Sequence, residues 1–500
     1  MNNLFYDLIY EKKTKRLLMI LSALSKTDGS IKAIDLCELL DITKITLNTD
    51  IDNLINRIPE YIQLEYNGHE LQLKCQAGYL VQDFLLEVAK DNVMYNLFKN
   101  ILYNRKFKLH EIAEMHFSSE GSIRSRIEHY NKILKRFNLK LSFYEVDLIG
   151  DEINKRYFFH ILFTEFRQFF MAHPDHDTEE NERLLQEMRE ILSKKQKQLL
   201  NITYYKLVRW LSIARIRVIN QQYVELPAEK VAAISKEKEF LEFERTYRLI
   251  EDNLIENTVL PLEEIVWAYV TTLDTVDYSG EIKNRSMHRD SSFDETDGVF
   301  YQMIQETAKM LNMSGYGDFH FSVFSYLKNI RYLSQLSPIY QLATDTLIFY
   351  TREENEGVFE LWKQKIVKYI NSLSFDIEFI EGIAAHLTLI TSQFFQSSRT
   401  KKRVICSFSG ETGLSNLLRV KLADHLGDLV ELIFISTHEI TDRILLKYRA
   451  DIVISNHPIK NCTVLNYRIP YIPQSKDYEE LRKAIYIDSD KSNSRVMQLK

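Results

Sequence analysis

The spacing of apolar residues changes partway through the stretch 117–150. At first apolar residues recur every three or four positions, which predicts an amphipathic helix with Ser118 or Ser119 as its N-cap. After Asn138 apolar and polar residues alternate, which predicts a short two-stranded hairpin. A shorter amphipathic helix is predicted just upstream, at Phe107–Met115. Helix, turn, helix and hairpin is the order of a winged helix-turn-helix, in which the second helix enters the DNA major groove.

The face of this second helix opposite the apolar stripe is basic. Its side chains are the predicted DNA contacts of this unit: Arg124, Arg126, His129, Lys132, Lys135 and Arg136. Six basic residues stand against two acidic ones between positions 118 and 140, in a chain whose net charge is −6. An ordinary solvated helix would carry similar charges, but the complete order of elements favours DNA binding.

An earlier stretch has the same order of elements. Helices are predicted at Lys12–Ser25, Lys32–Leu40 and Thr43–Arg57, with Thr43 as a cap. The alternating stretch Glu60–Lys74 follows, and its Asn-Gly pair is a strong signal for a hairpin turn. These residues predict a first winged helix-turn-helix in tandem with the other.

The second helix of this earlier unit is less basic. Its predicted DNA contacts are Lys44, Thr46, Asn48 and Thr49. Asp50 and Asp52 either position neighbouring elements or repel phosphate. We therefore expect the later unit to supply more electrostatic affinity and the earlier one to read bases or shape.

The rest of the chain divides into helical and mixed parts. Only 14 glycines and 8 prolines occur, so a mainly α protein with several domains is predicted. Two helical regions share a layout, and the polar, aperiodic stretch 274–295 between them is predicted to be a linker. Strands then alternate with helices, which predicts a small parallel sheet. The predicted domains are 1–78, 79–150, 151–273, 274–398 and 399–500.

Composition points to a cytoplasmic protein. The N-terminus lacks the basic-then-apolar order of a signal peptide, and no apolar run approaches the roughly 20 residues that span a bilayer. The four cysteines include no CxxC pair, which argues for a reducing compartment and against a zinc site. No metal, cofactor or enzymatic activity is predicted.

The order of tandem winged helix-turn-helix units, two helical repeats and an α/β domain resembles the Mga/AtxA-type virulence regulators of Gram-positive bacteria. The segment TLNTDIDNL also resembles a recognition-helix pattern common in bacterial regulators. The resemblance implies a DNA-binding transcriptional activator linked to virulence or carbohydrate use. It also implies helical regulation (PRD) domains that a phosphocarrier protein of the sugar phosphotransferase system modifies on histidine, an enzyme IIB-like last domain, and a homodimer.

The resemblance directs attention to three histidines and one cysteine. His386 is the foremost candidate for phosphorylation, and His320 and His160 are the others. Cys406 ends a strand where enzyme IIB domains carry a phosphorylated cysteine, but Gly410 comes one residue late for their loop, which favours a buried strand cysteine. Two alternatives remain open: an RNA-binding antiterminator, and a phosphotransfer or scaffold protein acting through its C-terminal domain.

Overall fold

The computed structural model divides the chain into two compact units, Met1–Ile390 and Thr391–Lys500. The residues that it describes are 4–27, 29–76, 81, 84, 92–165, 186, 188–190, 201–254, 259–278, 295–311, 313, 317–398, 402–409, 412–427, 430–435, 440–459, 462–482 and 485. Most of these residues are helical, as predicted. The finer domain boundaries at 78, 150, 273 and 398 stay predictions.

The first module, residues 30–75, is a helical pair packed beside a three-stranded antiparallel sheet. With the two helices that precede it, its elements are α1 (Leu4–Leu8), α2 (Lys12–Lys26), β1 (Ser30–Lys32), α3 (Ala33–Leu40), α4 (Lys44–Ile55), β2 (Ile62–Tyr66) and β3 (Glu70–Cys75). β3 lies between β1 and β2. The predicted Asn-Gly turn joins β2 to β3, and Gly68 has a φ of 84°, which glycine adopts without strain.

The second module, residues 107–149, repeats the helical pair with shorter strands. Following helix α5 (Val93–Leu102), its elements are β4 (Phe107–Lys108), α6 (Leu109–Met115), α7 (Glu120–Leu134), a 3-10 turn (Lys135–Phe137), β5 (Lys140–Leu141), β6 (Glu145–Val146) and β7 (Leu148–Ile149). β5 pairs with β7, whereas β6 pairs with β4. The prediction had placed β4 inside a helix, because its partner lies too far along the chain to leave a local pattern.

The helices that follow the second module pack around buried ion pairs. The elements of this first helical region are α8 (Glu152–Glu165), β8 (Asn201–Ile202), α9 (Tyr204–Ile219), α10 (Ala228–Ile234), α11 (Lys238–Leu254), α12 (Leu262–Thr271), a 3-10 turn (Thr272–Thr275) and β9 (Val276–Asp277). Arg156 is fully buried, donates to both oxygens of Glu264 at 2.8 and 2.9 Å, and lies 4.5 Å from the Trp267 ring. The ion pair between Arg156 and Glu264 therefore connects helix α8 to helix α12 inside the protein.

The predicted linker is partly ordered structure. Asp274 lies in the 3-10 turn, where it accepts from Lys206 Nζ at 2.8 Å and from Trp210 Nε1 at 2.9 Å. β9 then pairs with β8. The prediction of a linker is therefore wrong for residues 274–277, because their polar side chains serve internal contacts rather than solvent. Residues 279–294 lie outside the described residues.

The second helical region ends with a helix that continues past Ile390, the last residue of the first unit. Its elements are α13 (Glu295–Met310), α14 (Gly317–Leu336), a 3-10 turn (Pro338–Gln341), α15 (Asp345–Tyr369), a second 3-10 turn (Ile370–Ser372) and α16 (Ile380–Ser398). Helix α15 is kinked at Asn355, whose φ and ψ are −148° and 54°. Trp362 on this helix is fully buried.

The second unit contains the predicted parallel sheet. Its elements are β10 (Lys402–Ser407), α17 (Thr412–Leu426), β11 (Val430–Phe434), α18 (Asp442–Tyr448), β12 (Ile452–Ser455), β13 (Leu465–Arg468) and helical residues 475–482. The strand order is β11-β10-β12-β13, and each neighbouring pair is parallel. The edge strand β13 was not predicted, because its residues are mostly exposed and carry little apolar signal.

Candidate nucleic-acid interface

Helix α7 and the turn after it expose a basic face. Ser119 Oγ accepts the Ser122 backbone N–H at 3.2 Å, which starts the helix at the predicted cap. Four apolar residues of the opposite side are buried: Ile123, Ile127, Tyr130 and Leu134. Three of the predicted DNA contacts are exposed to solvent: Arg124, Lys132 and Lys135. Glu128 is exposed among them, so the face is basic by a net excess only.

The flank of α7 is held by the N-terminal segment. Arg126 forms an ion pair with Glu11 at 2.9 Å, and its guanidinium lies 5.7 Å from the Tyr10 ring. His129 Nε2 lies 2.6 Å from the backbone oxygen of Asp7. Two predicted DNA contacts thus have protein partners in this structure, and they brace the helix from the side.

Arg136 also has a protein partner. Its Nη1 donates to Asp345 Oδ2 at 2.6 Å, and Asp345 is the first residue of helix α15. The two side chains are 29% and 25% exposed. The predicted DNA contacts therefore separate into an exposed set and a set that is paired within the protein.

The hairpin after α7 is fixed beside its basic face. Asn131 donates to the backbone oxygen of Leu141 at 3.1 Å and accepts from its N–H at 2.5 Å. The Arg124 guanidinium lies 5.2 Å from the Phe143 ring. Tyr144, next in the chain, is 80% exposed. Helix and hairpin thus form one continuous surface with basic, aromatic and hydroxyl groups.

The corresponding helix α4 presents a more neutral face. Thr43 Oγ1 caps it by accepting the Thr46 N–H at 3.3 Å. Of the predicted DNA contacts on this helix, Lys44, Asn48 and Thr49 are exposed and Thr46 is half-buried. Asn48 Oδ1 accepts from the Tyr66 hydroxyl of β2 at 2.9 Å, which orients the amide.

Asp50 does not face the same surface. Its side chain is 2% exposed and accepts from Arg16 of α2, with Nε at 2.6 Å and Nη2 at 3.1 Å. The hydrogen bond with Asp50 raises the pKa of Arg16. Asp50 therefore positions a neighbouring helix, one of the two roles that the sequence left open, whereas Asp52 remains exposed.

His386 lies half-buried on helix α16. Its Nδ1 is 2.9 Å from the Gly382 backbone oxygen, and its ring stacks on Tyr326 at 5.7 Å. Burial lowers the pKa of His386, while the hydrogen bond with Gly382 opposes that shift. Because the Gly382 carbonyl oxygen can only accept, Nδ1 carries the ring proton of the neutral imidazole and Nε2 carries the lone pair.

The other two candidates have different surroundings. His160 is 3% exposed and stacks on Trp210 at 4.1 Å with the ring planes 10° apart. Burial lowers the pKa of His160 well below its usual range, and Arg209 acts in the same direction. His320 is half-buried and makes an edge contact with Phe319 at 5.6 Å. His386 and His320 are therefore more accessible to solvent than His160.

In the second unit, the ends of β10 and β12 bring polar groups together. Cys406 is buried, and burial raises the pKa of its thiol to about 12, which disfavours a reactive thiolate. Ser407 Oγ lies 3.2 Å from His457 Nε2. Asn456 and the Ser409 backbone exchange two hydrogen bonds of 2.7 and 2.8 Å. This corner is well ordered by hydrogen bonds, but its cysteine is a core residue.

The described residues contain neither a group of metal-binding side chains nor a membrane-spanning helix. Over those residues no three His, Cys, Asp or Glu side chains are grouped so that they could hold a metal ion. Over the same residues no helix is both long and apolar enough to cross a bilayer.

Several residues of this surface were not predicted from the sequence. Arg16 and Glu11 pair with residues of α4 and α7, and Asp345 pairs with Arg136 in the turn after α7. No local pattern marks such partners. Tyr144 likewise carries no local signal, because a single exposed aromatic residue is common on protein surfaces.

Comparison with known proteins bears on these same residues. Residues 79–163, which include the second module and most of α8, match the Mga helix-turn-helix domain. A protein of Streptococcus pneumoniae serotype 4 (strain ATCC BAA-334 / TIGR4) named "Putative trans-acting regulator" is 23% identical over 167 residues. That match covers 33% of this chain and 34% of the relative, so the chain spans about a third of that relative's length. Both findings support the resemblance to Mga-type regulators, and the family match lies over residues 79–163.

Proposed function

We propose that the protein is a DNA-binding transcriptional regulator in which both modules are winged helix-turn-helix units. Helices α4 and α7 would enter successive stretches of major groove, with the hairpins as wings. The observation that carries the proposal is the exposed basic face of α7, which lies within the Mga helix-turn-helix domain and continues onto the adjoining hairpin.

The two helices would divide the work. Arg124, Lys132 and Lys135 are exposed cations and would neutralise phosphates. The hydroxyl and amide groups of Asn48 and Thr49 suit contacts with base edges. Arg126, His129 and Arg136 each have a protein partner already, which would withhold them from phosphates.

The test is fluorescence anisotropy of the full chain on labelled duplex DNA at several salt concentrations, with single-stranded RNA in parallel. Three phosphate contacts from α7 and the turn after it would contribute about −3 to the slope of log K against log salt. The double variant Arg124→Ala/Lys132→Ala should weaken binding about tenfold and flatten the slope by about 2.

A charge-matched control is available elsewhere in the chain. Lys238 and Lys309 are exposed on helices of the two helical regions, so Lys238→Ala/Lys309→Ala removes the same charge away from the modules. This control should leave the slope unchanged. Absence of salt-dependent duplex binding, or equal losses in both double variants, would contradict the proposal, and tighter binding to RNA would favour an antiterminator.

We further propose that the regulator is an activator and a homodimer, and that phosphorylation of His386 controls it. The lone pair of His386 Nε2 would attack the phosphorus of a phosphohistidine on a phosphocarrier protein, so the new N–P bond forms as the carrier's N–P bond breaks and the carrier nitrogen keeps that electron pair. The support is the resemblance together with the orientation of the ring, whose Nδ1 is held by Gly382. Phosphate transfer to the wild type and not to His386→Ala, with His160→Ala unaffected, is the expected result.

A protein that relays phosphate through Cys406 is disfavoured. The raised pKa of its thiol leaves little thiolate at neutral pH, and the side chain is buried. Cys406→Ser should therefore leave both DNA binding and phosphate incorporation unchanged.

A further inference from the structure

The ion pair between Arg136 and Asp345 connects the turn after α7 to the start of helix α15. Arg136 directly follows Lys135 in the turn after α7, at the end of the basic face. Asp345 opens helix α15, whose N-cap Thr344 accepts the Leu347 N–H at 3.2 Å. The contact spans 209 positions of sequence, so the fold alone creates it.

Asp345 is held in place by the segment before it. We call residues 337–345 the hub segment. Ser337 donates to Asn154 Oδ1 at 2.8 Å, and the Leu342 backbone oxygen accepts from the Tyr157 hydroxyl. Both partners lie on α8, the helix that follows the second module. The hub segment is therefore fixed next to the DNA-facing module.

The middle of the hub segment is anchored on helix α12. The Tyr340 hydroxyl accepts from Trp267 Nε1 at 3.0 Å and lies 2.9 Å from Thr271 Oγ1. Tyr340 itself is 3% exposed and packs against the Tyr157 ring at 5.4 Å. A displacement of Tyr340 would therefore disturb three side chains at once.

The hub segment also touches the entry to helix α16. Gln341 accepts from the backbone N–H groups of Glu378 and Phe379 at 2.9 and 3.2 Å. Gly382 packs so closely on it that a Cβ atom there would lie 2.0 Å from the Gln341 backbone oxygen. The same Gly382 contacts His386, which lies one helical turn later.

We propose that Asp345 is a positioning residue for DNA binding: the hub segment holds its carboxylate against Arg136 and keeps that guanidinium from a DNA phosphate. The proposal rests on the DNA-binding function proposed above. Both side chains are partly exposed, so the pair is weak enough for a phosphate to replace the carboxylate. Arg136 then adds one phosphate contact whenever Asp345 withdraws.

The test is a double-mutant cycle on duplex DNA. Asp345→Asn should tighten binding about threefold at roughly 0.1 M salt and steepen the salt slope by about 1, the value for one added phosphate contact. In the Arg136→Ala background Asp345→Asn should change neither quantity. Glu354→Gln is the matched control, because it removes one negative charge from an exposed position on the same helix.

The outcomes separate the two proposals. Salt-dependent duplex binding by the wild type with an inert Asp345→Asn variant would overturn this inference alone. An equal gain in Glu354→Gln, or in the Arg136→Ala background, would also overturn it, since the gain would then come from general charge. No duplex binding by the wild type would overturn the proposed function and this inference with it.

The part played by the hub segment has its own variant. Tyr340→Phe removes the hydroxyl that contacts Trp267 and Thr271 while preserving the ring. We expect a gain in duplex affinity smaller than that of Asp345→Asn and absent in the Arg136→Ala background, with folding verified by circular dichroism. An unchanged affinity would show that the hub segment does not position Asp345.

Discussion

Helices α4 and α7 occupy equivalent places in the two modules and use charge in opposite ways. Each begins with a hydroxyl cap and is followed by a hairpin. In α4 an acid, Asp50, turns inward and binds Arg16 of the preceding helix. In α7 a base, Arg126, lies at the side of the helix and binds Glu11, which directly precedes α2 in the chain. The two modules share their order of elements, but their second helix contributes an acid to the ion pair in the first module and a base in the second.

This difference determines which side chains of each helix remain exposed and able to contact a ligand. With Asp50 buried, α4 exposes one cation, Lys44, and one acid, Asp52, beside the uncharged polar side chains of Asn48 and Thr49. With Arg126 and His129 engaged, α7 and the turn after it still expose three cations: Arg124, Lys132 and Lys135. Total charge along a helix is therefore a poor guide to its ligand, and the charge remaining after internal pairing is the better one.

The largest expected effect concerns the internal pair of the first module. Asp50→Ala should lower the free energy of unfolding by about 3 kcal/mol, because Arg16 loses a nearly buried bidentate partner. Asp52→Ala, an exposed neighbour, should change it by less than about 0.5 kcal/mol. Urea unfolding followed by circular dichroism measures both, and equal losses would contradict the inward role of Asp50.

Asn48→Ala should alter sequence choice rather than salt dependence. Losing one amide contact to a base costs about 1 to 2 kcal/mol of discrimination between duplexes. Tyr66→Phe should produce a weaker version, because the Tyr66 hydroxyl orients the Asn48 amide. Competition titrations with a randomised duplex pool would reveal the change, and a uniform loss on all sequences would assign Asn48 to the backbone instead.

Lys132→Ala should show the opposite behaviour in the second module. We expect a loss of about threefold that is the same on every duplex, with the salt slope flatter by about 1. Anisotropy at four salt concentrations gives both quantities. A sequence-dependent loss would mean that α7 reads bases, and the division of work between the helices would be wrong.

Glu11→Gln should have the smallest effect. The pair with Arg126 is partly exposed, so its loss should cost about 0.5 kcal/mol in thermal unfolding. Freed from Glu11, Arg126 should raise duplex affinity about twofold, as one added cation near phosphate would. A loss of affinity like that of Lys132→Ala would show that Glu11 serves chiefly to hold α7 in position.

Local pattern was sufficient for much of the fold. Apolar spacing located α4 and α7, hydroxyl residues marked their caps, and the Asn-Gly pair marked the turn after β2. These features depend on neighbours within a few positions, so they are written in the local sequence. The parallel sheet of the second unit was likewise evident from alternating strands and helices.

The tertiary structure alone decided which polar residues remain available. Arg124 and Arg126 look equivalent in sequence, yet one is exposed and the other is paired. Asp274 appeared to belong to a linker but is held by Lys206 and Trp210. The spacing of apolar residues shows which face of a helix is buried. It does not show which charged side chain of a distant segment will pair with the residues beside that face. Arg136 and Asp345, 209 positions apart, meet only because the helical regions fold back onto the second module.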